Sequence, residues 1–220
     1  MIALAPFGPP EATVDVGALF WAGPEWDRAR WRTAAGDTWL VRTRRVGGGR
    51  DLEQARVTSA GLAALDVTRF ELDEDTFAEV ARYREAGGPN LHPAAIRLPR
   101  RLAVGEAHAA LPGATVTCTY AGAVRLVLDG ATTEARGACL RAEAAGFARE
   151  QWLLEGVGEV AIGAPGAWER WLVAWTGGER ALFGGVAPSE TAAWPALPAA
   201  RAADGGGSPG GPAPSGGVFG

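Results

Sequence analysis

Between Arg149 and Trp175 the chain reads REQWLLEGVGEVAIGAPGAWERWLVAW. Two apolar runs flank Gly156-Val157-Gly158, and a third follows Gly163-Ala164-Pro165-Gly166. Runs of Val, Ile, Leu and Trp at this length, punctuated by glycine, read as consecutive antiparallel strands joined by tight turns. Trp152, Trp168, Trp171 and Trp175, four of the nine tryptophans of the chain, fall here. An indole buries a large apolar area, so this stretch is expected to anchor the core. It carries no histidine, no nucleophile and no metal-ligand pair.

The length of 220 residues suits one generous domain, because no polar linker divides the middle of the chain. The 32 glycines and 15 prolines favour many short strands over a few long helices. The formal net charge is −4, which argues against general attraction to phosphate and hence to nucleic acid. There is no lysine; every basic side chain is arginine, a composition that coding bias in a GC-rich genome explains together with the wealth of Ala, Gly and Pro. No run of 18 apolar residues occurs, so no transmembrane helix is expected. The first residues, MIALAPFGPPEA, have no basic region and too short an apolar stretch for a secretory leader. Read literally, this is a soluble cytoplasmic chain; a leader encoded upstream of Met1 would instead place it in the periplasm or cell envelope.

Residues 1–15 read as an extended arm in which Pro6, Pro9 and Pro10 deny regular pairing. A β-rich domain then spans residues 16–187. Within it, Trp31 to Val46 is a strand pair turning at Ala35-Gly36-Asp37, with Trp39 and Val41 on one face and Leu40 and Arg42 on the other. Leu52 to Thr58 and Leu62 to Leu72 are further strands. Asp73 to Ala86 is the best helix candidate: Asp73 is a cap, acids crowd the first turn, arginines the last, and Gly87-Gly88 follows. The same residues also read as a strand with Phe77, Ala81 and Tyr83 on one face. Pro89 to Pro99 is expected to be a loop or extended connector. Ala114 to Tyr120, Val124 to Leu128 and Ala138 to Ala144 alternate as strands, and Asp129-Gly130 is a hairpin turn. Residues 188–220 are expected to be a disordered Gly/Pro/Ser/Ala-rich tail, unable to bury enough surface to offset ordering entropy. The fold class predicted is mainly β: a single curved antiparallel sheet, a half-barrel or open barrel, with at most one short helix.

Three short segments carry a resemblance. Leu98-Pro99-Arg100-Arg101-Leu102-Ala103-Val104-Gly105-Glu106, with His108 following, is similar to a Leu-Pro-Leu-x-x-Gly-x-x-Trp segment found in exported bacterial β-rich proteins of unknown function. Glu134 to Leu140 is similar to a following Pro-Ala-Gly strand, with Ala135-Arg136-Gly137 in its place. Trp152 to Val160 is similar to an aromatic next to Gly-Val-Gly-Leu-Val. The likeness covers about residues 98–175. It implies the curved half-barrel of lipoprotein-carrier folds, an antiparallel sheet wrapping an apolar groove, and it brings no catalytic residues.

Reactive constellations are sparse. His92 precedes Pro93, and His108 lies in an expected strand; neither has a second ligand at zinc spacing. An unperturbed imidazole titrates near neutrality, so His108 with Glu106 or Glu150 is the candidate for a hydrolytic site. Asp73, Glu74 and Asp75 lack the alternating ligands and central glycine of a calcium loop. Neither Gly47-Gly48-Gly49 nor Gly156-Val157-Gly158 has the context of a phosphate loop, and no serine sits in a nucleophile elbow. The arginine clusters Arg42, Arg44, Arg45 and Arg97, Arg100, Arg101 read as solvated strand faces. Cys118 and Cys139 match no metal or redox spacing; they are either two buried thiols or, in an exported chain, a disulfide.

Trp171 and Trp175 share a face of one strand by simple alternation, with Trp168 on the other. A half-barrel would place Trp39, Trp152, Trp171 and Trp175 along its concave side, as an apolar groove for a lipid, another apolar small molecule or a partner's hydrophobic segment. The expected function is therefore non-enzymatic binding of an apolar ligand, with no cofactor and no metal. A structural or assembly module with a fully packed β core is the alternative, and an enzyme using His108 a third.

Overall fold

The computed structural model describes residues 2–21, 26–46, 49–84, 88–177, 179–191 and 194. The chain is mainly β. Its elements are β1 (Ile2–Pro6), β2 (Thr13–Asp15), a single turn and a half of helix α1 (Val16–Trp21), β3 (Trp26–Thr33), β4 (Thr38–Val46), β5 (Gly49–Thr58), β6 (Gly61–Leu72), β7 (Thr76–Arg84) and β8 (Gly88–Pro99). There follow β9 (Arg101–Ala103), β10 (Ala107–Leu111), β11 (Ala114–Leu128), β12 (Ala131–Ala144), β13 (Phe147–Leu154), β14 (Gly158–Ala164), β15 (Ala167–Gly177), β16 (Arg180–Leu182) and a 3-10 turn at Pro188–Thr191.

Fourteen strands make one antiparallel sheet, in the order β1-β11-β12-β13-β14-β15-β3-β4-β5-β6-β7-β8, with β10 on β11 and β16 on β15. Two hairpin meanders, β3 to β8 and β11 to β15, are thus joined side by side where β15 pairs with β3. Strands β2 and β9 form a separate small ladder. The sheet is not closed into a barrel: its last strand, β8, lies beside β10, but among the described residues no ladder joins the two. The hairpins turn where the residue types demand. Asp129 and Gly130 hold φ of 49° and 84°, the left-handed pair that lets a two-residue turn match the twist of its strands.

Three expectations are corrected. Within the segment 73–86, the described residues are not helical: Thr76–Arg84 is a strand, the other reading of those residues. The carboxylate of Asp73 does cap, but it caps a turn, accepting the amides of Asp75 (2.8 Å) and Thr76 (2.5 Å) and the Thr76 hydroxyl (2.7 Å). Phe77 then pairs with Leu72 and Leu98 in neighbouring strands, and pairing on both sides overrides a local helical preference. Pro89 to Pro99 is not a loop but most of β8, and its prolines are tolerated because β8 ends the ladder path. The N-terminal arm does pair: Ile2–Pro6 lies on Leu128–Val124 at the opposite end of the path. Of the expected tail 188–220, Pro188–Thr191 forms the 3-10 turn, Glu190 pairs with Arg30, and the Trp194 ring lies 4.6 Å from the Arg42 guanidinium; the rest lies outside the described residues.

Both faces of β11–β13 are buried. One contributes Val116, Cys118, Ala138, Leu140 and Leu153 to a cluster with Val16 and Leu19 of α1. The other contributes Val124, Leu126, Cys139, Trp152 and Leu154 to a cluster with Trp31, Leu172 and Trp175. Adjacent Leu153 and Leu154 are each fully buried, so this strand end reads as an unbroken apolar run rather than an alternation. Helix α1 is positioned by Asp15, which accepts the amide of Ala18 (3.0 Å) and is held by Arg100 (3.1 Å). Burial pushes the Asp15 carboxyl up, but the bonds from Arg100 and the helix amides outweigh it and hold the group below its usual range.

Candidate functional site

A chamber lies between the inner face of β3–β8 and the face of β12–β15 turned toward it, with an internal volume of about 110 Å³. Register explains which side chains reach it. Cross-strand partners share a face, and the pairs Ala29↔Val41, Val41↔Gln54, Thr43↔Leu52, Leu52↔Thr68 and Phe70↔Glu79 run one inner row after another across five strands. All eight of these residues line the chamber. From the other meander, Leu140↔Gln151↔Ile162↔Arg170 is a single row, and all four line it as well.

Aromatic rings dominate the apolar wall. Phe20 of α1, Phe70 and Phe77 form one group, with centroids 4.7 Å apart for Phe20 and Phe77 and 5.3 Å for Phe70 and Phe77. Trp31 and Trp175 contribute the indoles. Trp175 folds flat over its own strand, which works because Gly177 has no side chain. A Cβ there would lie 2.6 Å from Trp175 Cη2 and 2.7 Å from Asp27 Oδ1.

Charged groups enter the wall at two places, and each is engaged. Arg50 donates to the Phe20 carbonyl (2.5 Å) and faces Asp27 at 3.6 Å; Glu79 is also buried and engaged at this end. Arg170 donates to Glu159 (2.8 Å) and Gln54 (2.7 Å), Gln151 donates to the same Glu159, and the guanidinium of Arg170 lies 5.3 Å from the centre of the Trp31 ring. Two uncharged donors stand apart from these ionic groups. The Nε1–H groups of Trp31 and Trp175 are buried and have no acceptor among the described residues.

The four expected tryptophans do not converge. Trp175 lines the chamber. Trp171 does not share its face: a bulge at Val173, between the pairs Leu172↔Trp31 and Ala174↔Arg30, reverses the alternation. Two side chains four residues apart in a strand share a face only while the ladder is unbroken. Trp171 therefore lies in the row Cys139, Trp152, Ala161, on the opposite side of the sheet from Leu140 and Gln151. There Trp152 is buried, its ring 6.1 Å from that of Tyr120. Trp39 is opposite Trp31 on the inner face, half-buried beside the chamber rather than in its wall. Sequence reasoning missed Trp31, although the turn at Gly36 alone pairs it with Trp39. It had no signal for the three phenylalanines, which come from distant elements.

The remaining candidates stay apart. His108, half-buried on β10, has no hydrogen bond or ion pair to Glu106 or Glu150 among the described residues, and its Nε2 has no partner there. The side chain of His92 lies outside the described residues. No group of three or more metal-ligating side chains occurs among the described residues, and no helix is long and apolar enough to cross a membrane. Cys118 and Cys139 are free thiols, not a disulfide. Cys118 pairs with Leu140 and Cys139 with Tyr120 across a bulge, so the two sulfurs enter opposite faces of the sheet. Burial pushes their pKa values up to about 11 for Cys118 and about 12 for Cys139, the signature of inert structural thiols.

The outer face of β4–β6 holds a separate ionic network. Glu53 and Asp51 are buried there beneath Arg42, Arg44 and Arg69. Comparison of the chain with family models, with curated proteins and with solved structures returned no match.

Proposed function

We propose that this protein is a binding protein that takes an apolar small molecule, or an apolar segment of a larger one, into the chamber between its two meanders. The observation that carries this reading is the chamber itself. Interiors of folded proteins are packed to crystal density with few voids larger than a water molecule. Here five aromatic rings with Leu52, Val41, Ile162 and Leu98 surround space instead of filling it. An apolar cavity of about 150 Å³ is known to take up benzene. A chamber of about 110 Å³ therefore suits a single ring or a few carbons of a chain, not a whole lipid. The resemblance to lipoprotein-carrier half-barrels is in keeping with this reading.

The test is tryptophan fluorescence during titration with alkylbenzenes and with fatty acids of increasing chain length. Trp31 and Trp175 in the wall are the reporters, and a saturable change is expected. A spectrum unchanged across the whole series would refute the reading and favour a module built only for packing.

A further inference from the structure

Resting on the chamber as a binding site, we propose that its ligand carries an uncharged hydrogen-bond acceptor, a ketone, ester or amide carbonyl on an apolar body, and that the indole N–H of Trp31 or Trp175 receives it. Trp31 and Trp175 are 5% and 2% exposed, and both line the chamber. Neither Nε1–H has an acceptor among the described residues. Buried donors are almost always satisfied, and leaving one unpaired carries the full desolvation penalty of the group. Two such donors in one small wall point to an acceptor that enters from outside the chain.

The charge of that acceptor follows from the rest of the wall. Asp27, Glu79, Arg50, Glu159 and Arg170 are each engaged within the protein. A carboxylate or ammonium on the ligand would enter an apolar space with its counter-charges already committed, at a cost that indole donors do not offset. A carbonyl needs only one donor and brings no charge. Indole is a donor without acceptor capacity, so a ligand offering only donors gains nothing from either tryptophan.

The experiment compares acetophenone with isopropylbenzene, which places a methyl where acetophenone has its carbonyl oxygen, on the full chain. Binding is followed through the nine indole N–H proton resonances, with Trp31→Phe and Trp175→Phe supplying the assignments. Both probes are expected to bind. Acetophenone should move the Trp31 or Trp175 indole proton downfield, and isopropylbenzene should not. Replacing the responsible tryptophan by Phe should weaken acetophenone roughly fivefold, the size of one net hydrogen bond, and isopropylbenzene by less than about twofold, since a double comparison isolates the N–H from the ring. If either variant fails to fold, the wild-type spectrum decides: downfield movement confined to acetophenone supports the proposal. Binding of both probes with no indole proton responding to the carbonyl would overturn it and leave the chamber reading standing. Binding of neither would overturn both.

Discussion

Ala29→Leu is the substitution that separates a chamber kept open for a ligand from a packing fault. Ala29 is 8% exposed and lies between Trp175 and Val41 on the inner face. Its methyl group faces the chamber of about 110 Å³. Leucine adds three carbons, each giving about 0.8 kcal/mol on burial. Ordering the longer side chain costs about 0.5–1 kcal/mol. The net expectation is a gain of about 1.4–1.9 kcal/mol, or a Tm rise of about 3–8 °C for a chain of this size. The unfolding midpoint in urea should rise with an unchanged slope, while affinity for isopropylbenzene falls at least about tenfold because the space is taken. Stability lowered by more than about 1 kcal/mol, with binding intact, would show that Ala29 does not face usable space, and the reasoning from the chamber would fail with it.

Gly177→Ala should destabilise by about 2 kcal/mol or more in the same unfolding assay, because the new Cβ meets Asp27 Oδ1 at 2.7 Å and the buried ring of Trp175; a neutral result would mean that the ring can shift. Arg42→Ala should cost about 2 kcal/mol, since it strips a partner from fully buried Glu53 and removes the guanidinium from the Trp194 ring 4.6 Å away. Arg125→Ala breaks a half-exposed pair with Glu134 and should cost no more than about 0.5 kcal/mol; equal effects would refute the ranking by burial. The thiols should resist a disulfide reagent at pH 8 until the protein is unfolded. Their folded-state pKa values, about 11 for Cys118 and about 12 for Cys139, lie above the ordinary value near 8.5. That stabilisation is complete below about pH 8.5 and is lost as the pH rises toward 11 and 12, so unfolding midpoints measured from pH 8 to 11 should fall, and fall less in Cys139→Ala.

Some expectations failed where one local signal serves two structures. Asp73 with Thr76 behind it caps a helix and a hairpin turn by the same side-chain bonds to backbone amides. The choice was made by β6 and β8, which offer Thr76–Arg84 a ladder on each side. The prolines of 89–99 read as loop because a central strand would exclude them, yet β8 ends the ladder path, where a missing donor costs no bond. Alternation put Trp171 beside Trp175 because a bulge leaves no mark in composition, and one extra residue at Val173 exchanged their faces.

What this amino-acid sequence determined by itself is local: glycine and Asp-Gly turns at short intervals, β-branched and aromatic runs between them, and hence an antiparallel β architecture with the hairpins of 31–46 and 149–175. Those signals act over a few residues, where backbone sterics decide. The chamber was decided only by the tertiary structure. Its wall joins Phe20 of the helix, Trp31, Phe70 and Phe77 of one meander and Ile162, Arg170 and Trp175 of the other. Burial, unlike turn geometry, depends on what the rest of the chain brings to the opposite side, and that is settled by strand order, bulges and the β15–β3 junction.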